Sequence, residues 1–338
     1  MVNNSHITTI GGGTGSPTII RSLIATGISD ISAISASMDS GGKTGQLRSD
    51  ERDRVIAVSD LLRNLLALIS QQQNHLDQVT AFTEMAGFTD GRNRNLGYTI
   101  YYALLEKYSK DFVQVQKHLE KLLGIKFQGQ AIPVTLESAN IRFSTLLGAD
   151  FSGEHELDRQ SMSANTIKKI WLDRPVKATP EAIFAILKAD YLIYSPGSIY
   201  GSIISNFLPE GITEALKKSK AIKILVSNLV SNRNQTHRFS PLDYLHLFQK
   251  YTKLEKPFSV FICPDISESK FDRLYQKIAA TYASEHSHFL GWTDKELKPL
   301  SDKKIDVIKA DIFSITSHLS RIRHDPEKLA RIFMKIIK

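Results

Sequence analysis

Gly11-Gly12-Gly13-Thr14-Gly15 places four glycines in five positions, directly after the apolar run Ile7–Ile10 and ahead of helix-compatible residues 18–24. A glycine cluster at a strand-to-helix turn lets the backbone approach an anion with no Cβ in the way. The N–H groups that open the following helix point at that anion, and the helix dipole favours negative charge there. Pro17 suits the first helical turn, where a missing N–H leaves nothing unpaired. The chemistry suggested is a phosphate cradle built from Gly11, Gly12, Gly13, Thr14 and Gly15. The segment lacks the lysine of a Walker loop and the spacing of a G-x-G-x-x-G fingerprint, so a tight turn that merely needs glycine is the plain alternative.

The same kind of arrangement recurs later. Tyr191–Tyr194 runs into Ser195-Pro196-Gly197-Ser198, and residues 199–208 are again helix-compatible. If this strand and the first lie side by side where strand order reverses, Pro196, Gly197 and Ser198 face the first turn across a ligand crevice. Ser198 would offer a hydroxyl and a backbone N–H to a diphosphate. A routine turn with a serine cap is the competing reading.

A third loop, from Ser37 to Arg48, carries Asp39, which suits a metal or a hydroxyl, and Lys43 and Arg48. These two would neutralise phosphate, Lys43 as a point charge and Arg48 as a fork. Phosphoryl-type transfer asks for positioning and charge neutralisation more than for a nucleophile. Asp60, Arg63 and Asn64 would supply a base, a phosphate clamp and an orienter. The alternative makes Asp60 a helix-terminal carboxylate and leaves Arg63 and Asn64 as exposed polar positions. The ten histidines are scattered, with no metal-ligand helix spacing and no Ser-His-Asp arrangement inferable from it. Ser198 does not sit in G-x-S-x-G. His324 reads as structural, at the start of the last helix.

The elements that must hold these groups alternate along the chain. Strand candidates are Ile7–Ile10, Ile31–Ser35, Tyr191–Tyr194, Ile222–Val226, and residues 260–262 and 305–308. Helical patterns follow several of them, at residues 18–25, 199–207, 241–249 and 327–337. Near-continuous apolar strands between amphipathic helices predict an α/β fold: Rossmann-like and doubly wound, with a mainly parallel sheet covered on both faces. Two insertions interrupt it, a helix-rich stretch at residues 60–123 and a small β-insertion at residues 131–146, with a third strand over 166–172. Together, residues 60–172 are expected to form a lid inserted within one domain spanning residues 1–338.

Composition is that of an ordinary globular protein, 338 residues with 42% hydrophobic and 23% charged. No apolar run reaches the roughly 18 residues of a membrane span. No secretory signal is visible at the N-terminus, and the single Cys263 excludes a disulfide framework. A cytoplasmic location is therefore expected. Cys263 sits in an apolar run and reads as a buried structural thiol. The net charge of +8 favours anionic partners. Its cluster Arg321, Arg323, Lys328, Arg331, Lys335 and Lys338 has helical spacing, which reads as a solvated helix face rather than a nucleic-acid surface. Self-association into a homo-oligomer is left open.

The ordered set of motifs resembles the CofD-like superfamily, which holds 2-phospho-L-lactate transferases and YvcK-like gluconeogenesis factors. The motifs are Gly11 to Gly15, Asp39 to Arg48, Asp60 to Asn64, Leu96-Gly97, Pro196 to Ile203, Ser227 to Val230, Phe239 to Tyr244, and Arg323-His324-Asp325-Pro326. The resemblance covers nearly the whole chain and is closer to the gluconeogenesis-factor branch. It implies a nucleotide-binding core in which Gly12, Gly13, Thr14, Gly197 and Ser198 hold a diphosphate, with Asn228 near the nucleotide or sugar. It also implies a ligand of the nucleoside-diphosphate or uridine-diphosphate-sugar class, and a regulatory role in carbon use, envelope growth and cell shape. The other branch implies a magnesium-assisted transferase using Asp39, Asp60 and Arg63, with Asp39 on the metal and no redox cofactor. The family's usual paired aspartates stand here as Asp39-Ser40. A usual histidine and asparagine stand as Arg94 and Tyr98.

Overall fold

The computed structural model describes residues 5–52, 54–70, 76–158, 167–316 and 321–337. Strands β1 (Ile7–Ile10), β2 (Ile31–Ser35) and β3 (Gly129–Pro133) come first. Next, β4 (Ile141–Thr145), β5 (Asp150–Ser152) and β6 (Ile167–Leu172) form a separate antiparallel sheet. The chain then returns with β7 (Tyr191–Tyr194), β8 (Ile222–Val226), β9 (Val260–Pro264) and β10 (Asp306–Ala310). Strands β11 (Phe313–Thr316) and β12 (Arg321–His324) pair as an antiparallel ribbon.

The main sheet has seven strands in the order β10-β9-β8-β7-β1-β2-β3, all parallel. Every residue of β1, β2, β7 and β9 is buried. That is why none of these four strands carries a charged residue: a strand covered on both faces has no solvent-facing side to alternate with. The helix Gly15–Ala25 packs against the last helix, Pro326–Ile336, and against Ser59–Ala67, so the first and last helices lie side by side. The fold is α/β, as the alternation of elements predicts.

Three local readings differ from the structure. Residues 199–207 fold as two short irregular turns, Ile199–Ile203 and Ile204–Phe207, rather than an α-helix. Within the expected lid, Gly129–Pro133 is an edge strand of the main sheet, and Ser59–Ala67 packs on β2 and β3. Arg321 and Arg323 lie on β12, while the helix begins only at Pro326 behind an Asp325 cap. Alternation of arginine with Ile322, the buried member, suits a strand. Lys338 and Thr166 lie outside the described residues. Cys263 is buried on β9, where desolvation pushes its thiol up to about 12. Among the described residues, no helix is long and apolar enough to cross a membrane.

Candidate functional site

Strand order reverses at β1, which has β2 on one side and β7 on the other. Ile10 and Tyr194 are register partners, so the two small-residue turns leave the sheet together. Ser195 N–H donates to Ile10 O at 2.9 Å, and Gly11 N–H donates to Ile34 O at 3.0 Å. Crevices at such reversals, outside the carboxyl ends of the strands, are where ligands bind in open parallel sheets.

The glycines of the first turn are needed for different reasons. A Cβ on Gly11 would lie 2.7 Å from Ser195 Cβ, one on Gly12 2.0 Å from Asp60 Oδ2, and one on Gly15 2.0 Å from the Pro196 carbonyl oxygen. Those three positions are filled from within the chain. Gly13 is the exception: φ is +64° and the nearest atom to its Cβ position is Ser202 Oγ at 3.8 Å. Room for an anion therefore opens at Gly13, not along the whole loop. The helix that follows has exposed Thr14 at its N-cap, no side-chain cap and no acidic residue in its first turn. The Gly15 and Ser16 N–H groups lie where a helix has no partners of its own to offer. Ser16 Oγ and Ser195 Oγ are buried nearby without hydrogen-bond partners.

The second turn is held by side chains from further on. Asn228 Nδ2 donates to Gly197 O at 2.8 Å, and Asn228 Oδ1 accepts from Gly197 N–H at 3.4 Å. Ser198 Oγ donates to Gln235 Oε1 at 2.9 Å and accepts from Gly201 N–H at 3.2 Å. Gln235 Oε1 also accepts from Tyr200 N–H at 3.1 Å. Asn228 thus fixes the backbone of the turn. Gln235 does the same work with no sequence signal to announce it, because a lone glutamine in a loop looks like any solvated one. Pro196 is buried, with its carbonyl against Gly15.

Two carboxylates stand beside these turns. Asp60 is buried on the helix Ser59–Ala67, where its Oδ1 accepts from Arg63 Nη1 at 2.9 Å and its carboxylate also accepts from Gly13 N–H. Burial, with the Asp39 carboxylate adding to it, pushes the Asp60 acid up to about 6 against the pull of Arg63 and Gly13. Asp39 Oδ1 accepts from Gly41 N–H at 2.8 Å, and its Oδ2 accepts from Ser59 Oγ at 3.2 Å. Arg63 is half-exposed and donates a second bond, to Tyr98 OH at 2.9 Å. Tyr98, the replacement noted above, thereby holds the arginine in place.

Other predicted residues go elsewhere. Arg48 is fully buried and donates to the carbonyls of Met38, Asp39, Val55 and Ala139, and to Ser138 Oγ and Asn140 Oδ1. It ties the Asp39 loop to residues 138–140 and does not face a phosphate. Asn64 is buried and donates to Ser35 Oγ at 2.7 Å, so it is neither exposed nor an orienter. Lys43 is exposed, one residue into the helix Gly42–Asp50. His324 is structural, its Nε2–H donating to Ser227 O at 3.0 Å while burial pushes its pKa down to about 4.

The short turn Glu154–Asp158, just after β5, supplies a residue the sequence did not flag. Glu154 N–H donates to Ser40 Oγ at 2.8 Å. Its carboxylate reaches 2.3 Å from the Cβ position of Gly201 and 3.5 Å from that of Gly41. Ser40, standing where a second aspartate was expected, is the anchor that brings Glu154 in.

Comparison with known proteins gives this geometry a context. The sequence pattern of the family described as 2-phospho-L-lactate transferase CofD matches residues 7–313. A Thermotoga maritima protein is 29% identical over 330 residues, 98% of each chain. The gluconeogenesis factor of Bacillus subtilis is 26% identical over 339 residues, the whole of both chains. A crystal structure of a UPF0052-family protein from Bacillus halodurans superposes with a TM-score of 0.81 at 22% identity, covering 98% of this chain and 99% of that one. The likeness in fold and the match over nearly the whole sequence agree, and the chain belongs to the CofD family.

Proposed function

We propose that this chain binds a nucleoside diphosphate of the uridine-diphosphate-sugar class across the carboxyl ends of β1 and β7, in a regulatory role. One observation carries the reading: an uncapped helix opening at Gly13–Ser16 lies beside the Gly197–Ser198 turn where strand order reverses. Backbone N–H groups and a helix dipole are what a diphosphate needs. The gluconeogenesis-factor relatives favour a part in carbon use, and we extend this to envelope growth and to a cytoplasmic location. Asp39 and Asp60 suit a magnesium ion that takes one or two carboxylates and completes its shell from phosphate oxygens. Among the described residues, no group of three His, Cys, Asp or Glu side chains is placed to hold a metal alone. Such an ion would neutralise the diphosphate beside two acids. Calorimetry with uridine-diphosphate N-acetylglucosamine, with and without magnesium, should give saturable heat. Silence with every nucleoside diphosphate would overturn the proposal.

One feature favours a second reading, a transferase of the 2-phospho-L-lactate type. An acid held at about 6 and paired with an arginine suits general-base work near neutral pH. Nucleotide release from a phospho-activated donor in the presence of acceptor and magnesium would then disappear in Asp39→Ala and fall in Asp60→Asn. Undiminished release from both variants removes these residues from the chemistry.

A further inference from the structure

At the opposite, amino end of the sheet, His6, Asp30 and Ser32 come together from separate segments of the chain. His6 precedes β1, Asp30 precedes β2, and Ser32 is the second residue of β2. Ser32 Oγ lies 3.3 Å from His6 Nε2, and Asp30 Oδ1 lies 2.9 Å from His6 Nδ1. Ser32, His6 and Asp30 thus stand in the order of nucleophile, base and carboxylate, with Asp30 at ion-pair distance from Nδ1 rather than in an aligned hydrogen bond. The His6 main chain is anchored by its amide N–H, which donates to Asp190 Oδ2 at 2.8 Å, and Lys188 Nζ holds the other Asp30 oxygen at 3.0 Å.

These residues line a cavity of about 590 Å³, within the roughly 300–1,000 Å³ of small-molecule sites. Phe127, Ile132 and Phe184 give it an apolar wall, and Phe184 is largely exposed. Gln130, the register partner of Ser32 on β3, lines it too and carries a carboxamide N–H of the kind that steadies an oxyanion.

We propose that this cavity is a serine-hydrolase site for esters with a short apolar acyl group, independent of nucleotide binding at the other end of the sheet. Ser32 Oγ forms a bond to the acyl carbon while its proton passes to His6 Nε2. Collapse of the tetrahedral intermediate breaks the ester C–O bond, and His6 returns the proton to the leaving alkoxide. Water then attacks the acyl-enzyme with His6 again taking the proton, releasing the carboxylic acid and restoring Ser32.

The test is labelling of the whole protein with a fluorophosphonate probe, with the adduct mapped by mass spectrometry, alongside hydrolysis of p-nitrophenyl butyrate. The expected adduct is on Ser32. Ser32→Ala should lose both label and turnover, and His6→Gln should slow turnover about 10²-fold or more. Asp30 is half-exposed, so Asp30→Asn should keep its melting temperature while turnover falls. Absence of a Ser32 adduct, or Ser32→Ala turning over at the wild-type rate, overturns the proposal. Nucleotide calorimetry on Ser32→Ala keeps this result separate from the function proposed above.

Discussion

Arg48 sits on a loop that reads as phosphate-binding, yet its side chain points into the protein and spends its donors on carbonyls. A guanidinium matched to several carbonyls at once cannot be replaced by an ammonium, which has no fork. Arg48→Lys and Arg48→Met should therefore both destabilise, on the order of 3 kcal/mol, because buried acceptors lose their donors. Urea denaturation measures it, and a Lys variant of wild-type stability would contradict it. Asp60 gives a second prediction. Its acid is raised to about 6 from 3.8, so the folded state holds the proton more tightly. Stability from this group is present below about pH 4 and lost as pH rises towards 6, by about 3 kcal/mol at most. Asp60→Asn, compared with wild type at about pH 4 and pH 7.5, should gain that difference at the higher pH. A constant gap between the two proteins would refute it. The family resemblance groups Asp39, Asp60 and Arg63; in the fold Arg63 pairs with Asp60, and Asp39 reaches their helix through Ser59 Oγ. Direction was not legible: nothing in a linear sequence says that Arg48 turns inward, or that Gln235 and Glu154 arrive from remote segments.

Whole elements were read more faithfully than single side chains. Strands β1, β2, β7 and β8 are short runs rich in β-branched and apolar residues, so they stand out at their observed bounds. The ribbon of β11 and β12 did not, because Arg321 and Arg323 run on into Lys328, Arg331 and Lys335, whose three- and four-residue spacing is that of a helix face. The residues after Ser198 begin like a helix but are pinned by Gln235 into irregular turns. The glycines divide by element. Gly15→Ala drives a methyl into the Pro196 carbonyl and must push the two turns apart, a loss of about 1–3 kcal/mol by overpacking. Gly13→Ala meets open space but keeps a left-handed φ, which costs about 1–2 kcal/mol. Thermal melts should show both losses. Only Gly15→Ala should also loosen amide protection in the Pro196–Ser198 turn, and equal protection in the two variants would contradict the packing argument.

For the molecule as a whole, acid should unfold through His324. Its folded pKa of about 4 lies below the ordinary 6.5, so the unfolded chain takes the proton first as pH falls. Stability from this group is complete above about pH 6.5 and lost towards pH 4, by about 3 kcal/mol. His324→Gln should be less sensitive than wild type across that window in urea titrations, and identical slopes would exclude His324 as the cause. Asp60 works with the opposite sign over an overlapping range, so the two partly cancel in wild type and separate only in the single variants.

The His6 backbone is bonded to Asp190, 184 residues further on, and β1 finds its second neighbour only in β7. During synthesis the ribosome must therefore deliver more than half of the chain before this interior strand is flanked on both sides. Until then a bare apolar edge waits for its mate, open to the wrong one. Nascent chains arrested before residue 191 should bind chaperones, and those released beyond it should not; the crevice between the turns is born only with that late arrival.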